Sequence, residues 1–220
     1  MKGRWHILHT PITNPFKSFK SGLTLIILLL MGLAGNHFAI PLLYGIDYIF
    51  GGSFAVLIIV YLYGSLWGAA AALIAGSLLV QLGHQYSIIT FIFEALTVGF
   101  LLRKKTPNLL LADGVFWVFA GIPLEWLWSA AFLHMDNTGI LFTVLQHALN
   151  GLLNALLAGI VIIHLSVSKW ISDRKVIRNS FFQVIFYLLA ATVLLPGFFA
   201  MFLNSQHDAK RLESKVTEQL

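Results

Sequence analysis

The sequence predicts an all-α fold, a polytopic transmembrane helix bundle of about six helices with a further exit span. Three observations carry the prediction. Hydrophobic residues make up 58% of the 220 and charged residues 10%, with a mean hydropathy of +0.84. A soluble domain carries about 25% charge, and a surface this poor in charge suits lipid rather than water. The apolar residues gather into seven runs divided by short polar stretches, and the basic residues cluster in alternate connections.

Residues 1–21 form an N-terminal segment. Pro11 and Pro15 precede any apolar run, and no short apolar core ends in a small-residue cleavage site. The segment is therefore expected to remain in the cytoplasm and not to be removed as a signal peptide. The membrane module is expected over residues 22–168. Its runs cover 22–35, 48–63, 66–82, 87–102, 109–133 and 140–167. Several are shorter than the ~20 residues that a perpendicular helix needs, so protein must surround them or neighbouring turns extend them. Residues 36–49 hold Asn36, Pro41 and Asp47 in otherwise apolar sequence and read as a re-entrant-like loop. Such backbone is tolerated at membrane depth only where protein or a wet cavity satisfies it. Residues 169–180 are a basic cytoplasmic linker, and 181–203 the last transmembrane helix. Residues 204–220 are an extracytoplasmic helical stem. In the stem Leu212, Val216 and Leu220 recur every four residues without a stop signal. The stripe offers a homodimer contact, and its abrupt end points to continuation in a longer protein.

Charge sets the direction. Lys2, Arg4, Lys17 and Lys20 precede the first run, Arg103, Lys104 and Lys105 follow the fourth, and Lys169, Arg174, Lys175 and Arg178 follow the sixth. A cytoplasmic N-terminus puts all three clusters, eleven of the fourteen Lys and Arg residues, on the cytoplasmic side. The expected location is a bacterial inner membrane, with the C-terminus outside. The net charge of +5 does not point to nucleic acid, because the basic residues sit between apolar runs and not on one face. The absence of cysteine excludes disulfide and thiol chemistry. There is no Gly-rich phosphate loop, no G-x-S-x-G and no H-E-x-x-H. Neither a catalytic residue, a cofactor nor a metal is therefore expected in these residues.

Ionisable groups inside apolar runs are costly and mark candidate sites. Glu94 lies in the middle of FIFEALTVGF and Glu125 in GIPLEWLWS, while His147, Asn150 and Asn154 share one helical face. At 1.5 Å per residue, Glu94, Glu125, His147 and Asn150 would each lie roughly 10–15 Å below the outer surface. One common interior site is expected, with Trp126, Trp128, Tyr44 and Tyr86 as lining. An apolar pocket with a few convergent polar groups suits a small-molecule ligand. The same side chains could instead hydrogen-bond neighbouring helices and simply hold the bundle together. Gly64, Gly68, Ala72 and Gly76 form a small-residue stripe for close helix contact. Pro123 and Pro196 should disturb their helices.

Laid out in this order, the stretches IPLLYGIDYIFGGSFAVLIIVYLYGSLWGAAAALIAGS, GHQYSIITFIFEALTVGFLLRKKTPNLLLADGVFW, GIPLEW and LQHALNGLLNALLAG resemble a known module. It is the N-terminal membrane module of bacterial multidomain signalling proteins, among them sensor histidine kinases and cyclic-di-GMP enzymes. That module in turn is similar to the vitamin-uptake fold, the six-helix substrate-binding component of energy-coupling-factor transporters. The resemblance covers about residues 40–168. It implies a sensor that binds a small ligand, with recurring positions at Gly45, Asp47, Phe50, Gly51, Gly83, His84, Tyr86, Glu94, Arg103, Asn108, Asp113, Gly121, Pro123, Asn150, Gly151 and Asn154. Asn108 and Asp113 are expected to organise the cytoplasmic end with Arg103. The first run, LTLIILLLMGLAG, lacks the Ala-x-x-x-Ala contact of the transporter components, which weighs against transport.

The expected function is a membrane-embedded signal-input module in contact with the lipid bilayer. Its ligand would be a small molecule in the outer half of the bundle, held by Glu94, Glu125, Trp128, His147, Asn150, Asn154, Asp47 and Tyr86. A kinase or cyclic-di-GMP enzyme domain could follow in a parent protein. The alternatives are a substrate-binding component of a vitamin-like transporter and a structural membrane anchor.

Overall fold

The computed structural model describes residues 14–37, 39–43, 46–49, 52–81, 87–104, 108–132, 136–164, 183–197, 199–200 and 203. Tyr44, Tyr86, the linker 169–180 and the stem with Leu212, Val216 and Leu220 lie outside them. The described residues are helical but for one hairpin. After a short 3-10 turn at Pro15–Lys17 come α1 (Phe19–Gly35), β1 (Ala39–Leu43), β2 (Ile46–Ile49), α2 (Gly52–Tyr63), α3 (Ser65–Gln81) and α4 (Ser87–Lys104). Then follow α5 (Leu109–Phe116), a π turn (Trp117–Gly121), α6 (Ile122–Ala131), α7 (Asn137–His164) and α8 (Gln183–Gly197).

Two stretches, Leu109–Ala131 and Asn137–Ile163, are long and apolar enough to cross a membrane. The other apolar helices, Phe19–Gly35, Ser53–Tyr63, Ser65–Ser77 and Gln183–Gly197, are shorter. The shortest is also the most enclosed. From Phe54 to Tyr63 every residue of α2 is buried, as expected of a helix that is apolar all round. It is the central element, flanked by α1, α3, α4 and α7.

Close contacts fix the relative directions. The Tyr63 hydroxyl at the end of α2 donates to the Ser21 carbonyl near the start of α1 at 2.9 Å, so these helices are antiparallel. Gly64, at φ 92°, turns the chain between α2 and α3. Asn36 caps α1 and donates its side-chain amide to the Ala75 carbonyl of α3 at 2.7 Å, while Phe16 meets Trp67 edge-on with centroids 5.7 Å apart. Thus α1 runs parallel to α3. A Cβ on Gly99 would lie 2.6 Å from Ser65, and one on Gly76 would lie 2.7 Å from Ile88. Those two contacts make α4 antiparallel to α3 along its length. One end of the assembly therefore collects the start of α1 with Lys20, the α2–α3 turn, and the end of α4 with Arg103.

The small-residue stripe serves these internal contacts. Gly68 packs on Val60 of α2 and Gly76 on Ile88 of α4. Two expectations take a different form. Residues 36–49 contain an antiparallel hairpin that pairs Ala39 with Ile49, Ile40 with Tyr48 and Pro41 with Asp47. Its strands pair with each other, with a shift of register between Pro41 and Leu43, so this part of the segment is a hairpin and not an unpaired loop. The discontinuity expected at Pro123 is a π turn just before it, in which Ile122 N–H reaches the Trp117 carbonyl. Proline has no N–H to donate and its ring crowds the carbonyl four residues back. An inserted residue relieves both without ending the helix.

Candidate functional site

Two groups of buried polar residues stand out in the bundle. The one nearer the α6–α7 connection, here the outer layer, joins α6 and α7. Glu125 lies one turn into α6 and is buried. Its Oε2 is 2.7 Å from His147 Nδ1, with the two side chains 5% and 18% exposed. Trp128, one turn further along α6, is half-buried and stacks obliquely on Phe132 with centroids 5.2 Å apart.

The inner layer joins α2, α4 and α5. Ser53 Oγ, at the start of α2, donates to both oxygens of Glu94, at 3.1 and 3.3 Å. The Asp113 carboxyl also faces Glu94, and so does the indole edge of Trp117. Glu94 and Asp113 are both buried, and among the described residues no N–H or O–H donor reaches the Asp113 oxygens.

Sequence spacing had put Glu94 and Glu125 at one depth. The structure brings Asp113, not Glu125, opposite Glu94. Glu125 lies twelve residues further along the same stretch, Leu109–Ala131, a rise of about 18 Å. The depth estimate counted down from the outer ends of the runs 87–102 and 109–133, taking those ends to be level. Instead α5 starts deeper, so every residue on it is displaced toward the outer end. Asp113 is thus part of the interior site. Arg103, its expected partner, is exposed, and Asn108 instead caps α5 by accepting the Leu111 N–H at 3.2 Å.

Between the layers runs the buried face of α7. Asn150 and Asn154 are both buried there. Gly151 lies against the Trp117 indole so closely that a Cβ would overlap the ring. Trp117 therefore lies near both Glu94 and α7, next to Asn150, with its indole N–H against Gly151. Sequence reasoning missed it, because a tryptophan in an apolar run looks like any other core residue. The available signal was Gly151, directly beside the polar Asn150 on the face that has to accept a large ring.

Other expected site residues lie elsewhere. Asp47 is in the hairpin, opposite Pro41, and Trp126 is exposed. Tyr86 is outside the described residues. An open apolar groove of about 410 Å³ lies between α5 and α8, lined among others by Gly114, Val118, Phe119, Leu152, Phe186 and Leu194. None of Glu94, Glu125, His147 or Asn150 lines it. Among the described residues, no group of three or more His, Asp or Glu converges as metal ligands do.

No protein-family model matches the chain, and comparison with curated proteins and with solved structures likewise gives no match.

Proposed function

We propose that this chain is a membrane-embedded signal-input module of a bacterial signal-transduction protein. It responds to a small ligand in the outer half of a polytopic bundle in the inner membrane, with the N-terminus in the cytoplasm and the C-terminus outside. The carrying observation is the Glu125–His147 contact at 2.7 Å between two helices that are each long and apolar enough to span a bilayer. Polar pairs in such helices are costly to place in lipid, and function is the usual reason for them.

The membrane reading draws support from the outer surface. Leu23, Ile26, Ile27 and Leu30 of α1, Leu73 and Ile74 of α3, Phe93 and Phe100 of α4, and Leu141, Phe142 and Leu145 of α7 are all exposed. An exposed apolar surface of this extent marks contact with lipid or protein. The ligand site we assign to the outer layer consists of Glu125, His147 and Trp128, with Asn150 beneath them. The inner layer, Glu94 with Ser53, Asp113 and Trp117, reads the packing of α2, α4 and α5. A ligand acts by favouring one of two packings, through its different affinity for each.

The test compares the signalling output of the intact gene product with that of Glu94→Gln, Glu125→Gln and Asn150→Ala. Each substitution keeps the side chain small or isosteric, and each is expected to shift the output. Unchanged output in all three would sink the assignment.

A further inference from the structure

The last helix is attached to the bundle in an uneven way. Val184, Ile185, Leu188, Leu189 and Val193 are exposed, whereas Tyr187, at 5%, is the one buried side chain among the described residues of α8. Gln183, Ala190, Ala191, Leu194 and Leu195 lie beside it on the half-buried face.

Tyr187 enters a socket built by three other helices. Its ring covers Gly159 of α7, where any Cβ would overlap it. Its hydroxyl accepts the Leu110 N–H at 3.1 Å, and the Leu109 N–H is also within its reach. These N–H groups belong to the first turn of α5, where a helix has no internal acceptors. Asn108 takes one such donor, that of Leu111, and Tyr187 supplies an acceptor from a different helix. Tyr61 of α2 and Asp113 of α5 are close enough to the hydroxyl to act on it electrostatically. Tyr61, Leu109, Gly159, Ile162, Ile163 and Gln183 line the space around the ring, which leaves only about 10 Å³ free.

We propose that Tyr187 is a latch that docks α8 on the bundle, and that α8 has a second, undocked position in which the tyrosine leaves its socket. The N–H that Tyr187 accepts belongs to Leu110, one turn before Asp113 on α5, so a change in the inner polar layer can reach the residue that holds the exit helix through that turn. This use in signalling rests on the sensory reading above, whereas the latch itself does not. A packed aromatic ring and one hydrogen bond form a discrete joint. Such a joint is either made or broken, which is what a two-state element requires.

The chain has no cysteine, so spin labels can be placed by substitution alone. One pair, Phe119→Cys with Val193→Cys, uses positions that are 77% and 73% exposed, on the π turn and on α8. A control pair, Phe19→Cys with Leu66→Cys, reports α1 against α3. In lipid nanodiscs, pulsed dipolar spectroscopy should give one narrow distance for the first pair in the parent chain. Tyr187→Ala and Gly159→Leu should each add a broad second population, with the control pair unmoved. Tyr187→Phe keeps the ring and loses only the hydrogen bond. It should raise the undocked fraction roughly 2- to 12-fold, the range that a net hydrogen-bond contribution implies.

An unchanged distance in both Tyr187→Ala and Gly159→Leu overturns the latch. So does a control pair that spreads as much as the α8 pair in all three variants, because the tyrosine would then hold the whole bundle and not one helix. Signalling insensitive to Glu94→Gln, Glu125→Gln and Asn150→Ala alike would sink the sensory reading and leave these distances, and hence the latch, standing.

Discussion

At the level of single residues, the interior is decided by a few side chains whose partners are on other helices. Glu125 and His147 are 2.7 Å apart and largely buried. Removing one partner leaves the other as a desolvated polar group without its hydrogen bond, which costs about 1–3 kcal/mol. The pair should therefore be strongly non-additive. Glu125→Gln, His147→Ala and the double variant, unfolded by denaturant in detergent, should give a coupling energy of about 0.5–3 kcal/mol. A coupling indistinguishable from zero would mean that the contact is incidental. Gly151 makes a second case. A methyl group there meets the Trp117 indole, so Gly151→Ala should destabilise by about 1–3 kcal/mol through overpacking. Trp117→Phe shortens the ring and should recover part of that loss in the double variant. If it recovers nothing, the clash is not with Trp117.

Among elements, glycine separates the positions where backbone conformation matters from those where it does not. Gly64 has φ 92°, between α2 and α3, in the region that L side chains rarely adopt. Gly64→Ala should cost about 1–2 kcal/mol. Gly197, at the end of α8, has nothing within 4 Å of an added Cβ, so Gly197→Ala should leave the melting temperature essentially unchanged. Equal effects of the two would mean that the α2–α3 turn is not constrained. The helices themselves were legible in the sequence. The apolar runs at 22–35, 66–82, 87–102 and 140–167 correspond to α1, α3, α4 and α7 within a few residues, because continuous apolar stretches leave the backbone no partner but itself. The four-residue spacing of Gly64, Gly68, Ala72 and Gly76 pointed to close helix contact, within the bundle or with a partner helix, and the structure puts Gly68 and Gly76 against Val60 and Ile88. Three features could not be read in this way. The hairpin at 39–49 depends on pairing across a turn, and its apolar residues carry no helix-or-strand distinction of their own. The π turn depends on where the chain absorbs the proline at position 123. The pairing of Glu94 with Asp113 depends on the axial offset of α5 against α4, which no run length contains. Periodicity fixes the face on which a residue lies, whereas its depth is set by packing between helices.

For the molecule as a whole, large apolar side chains cover much of the outside, and a few polar groups are buried within an apolar core. Glu94, Asp113, Glu125, Asn150 and Asn154 are buried, while large apolar side chains on α1, α3, α4, α7 and α8 are exposed. In water this distribution would be a liability, since each exposed apolar Å² forgoes roughly 25 cal/mol of burial. In lipid the same surface is solvated by acyl chains, and the bundle must be held by close packing and interior hydrogen bonds instead. The contacts at Gly68, Gly76, Gly99, Gly151 and Gly159 and the polar layers supply both. Helix directions then give a prediction about orientation. The contacts of α1 with α3 and of α3 with α4 bring Lys20 and Arg103 to one end. The stretch 109–131 leaves that end, so exposed Asp136 and Asn137, at the α6–α7 connection, lie at the other. The positive-inside rule places the Lys20 and Arg103 end in the cytoplasm. Single cysteines at Lys20, Arg103 and Asn137 in this cysteine-free chain can be tested with a membrane-impermeant maleimide. In intact cells only the Asn137 position should react, and the other two should react once the inner membrane is opened. Reaction of Arg103 and Asn137 from the same side would place both ends of the 109–131 stretch on one face of the bilayer. It would then be a buried core helix of the kind that also passes a length-and-hydropathy test, and the ligand site would lose the membrane setting that makes its polar residues costly.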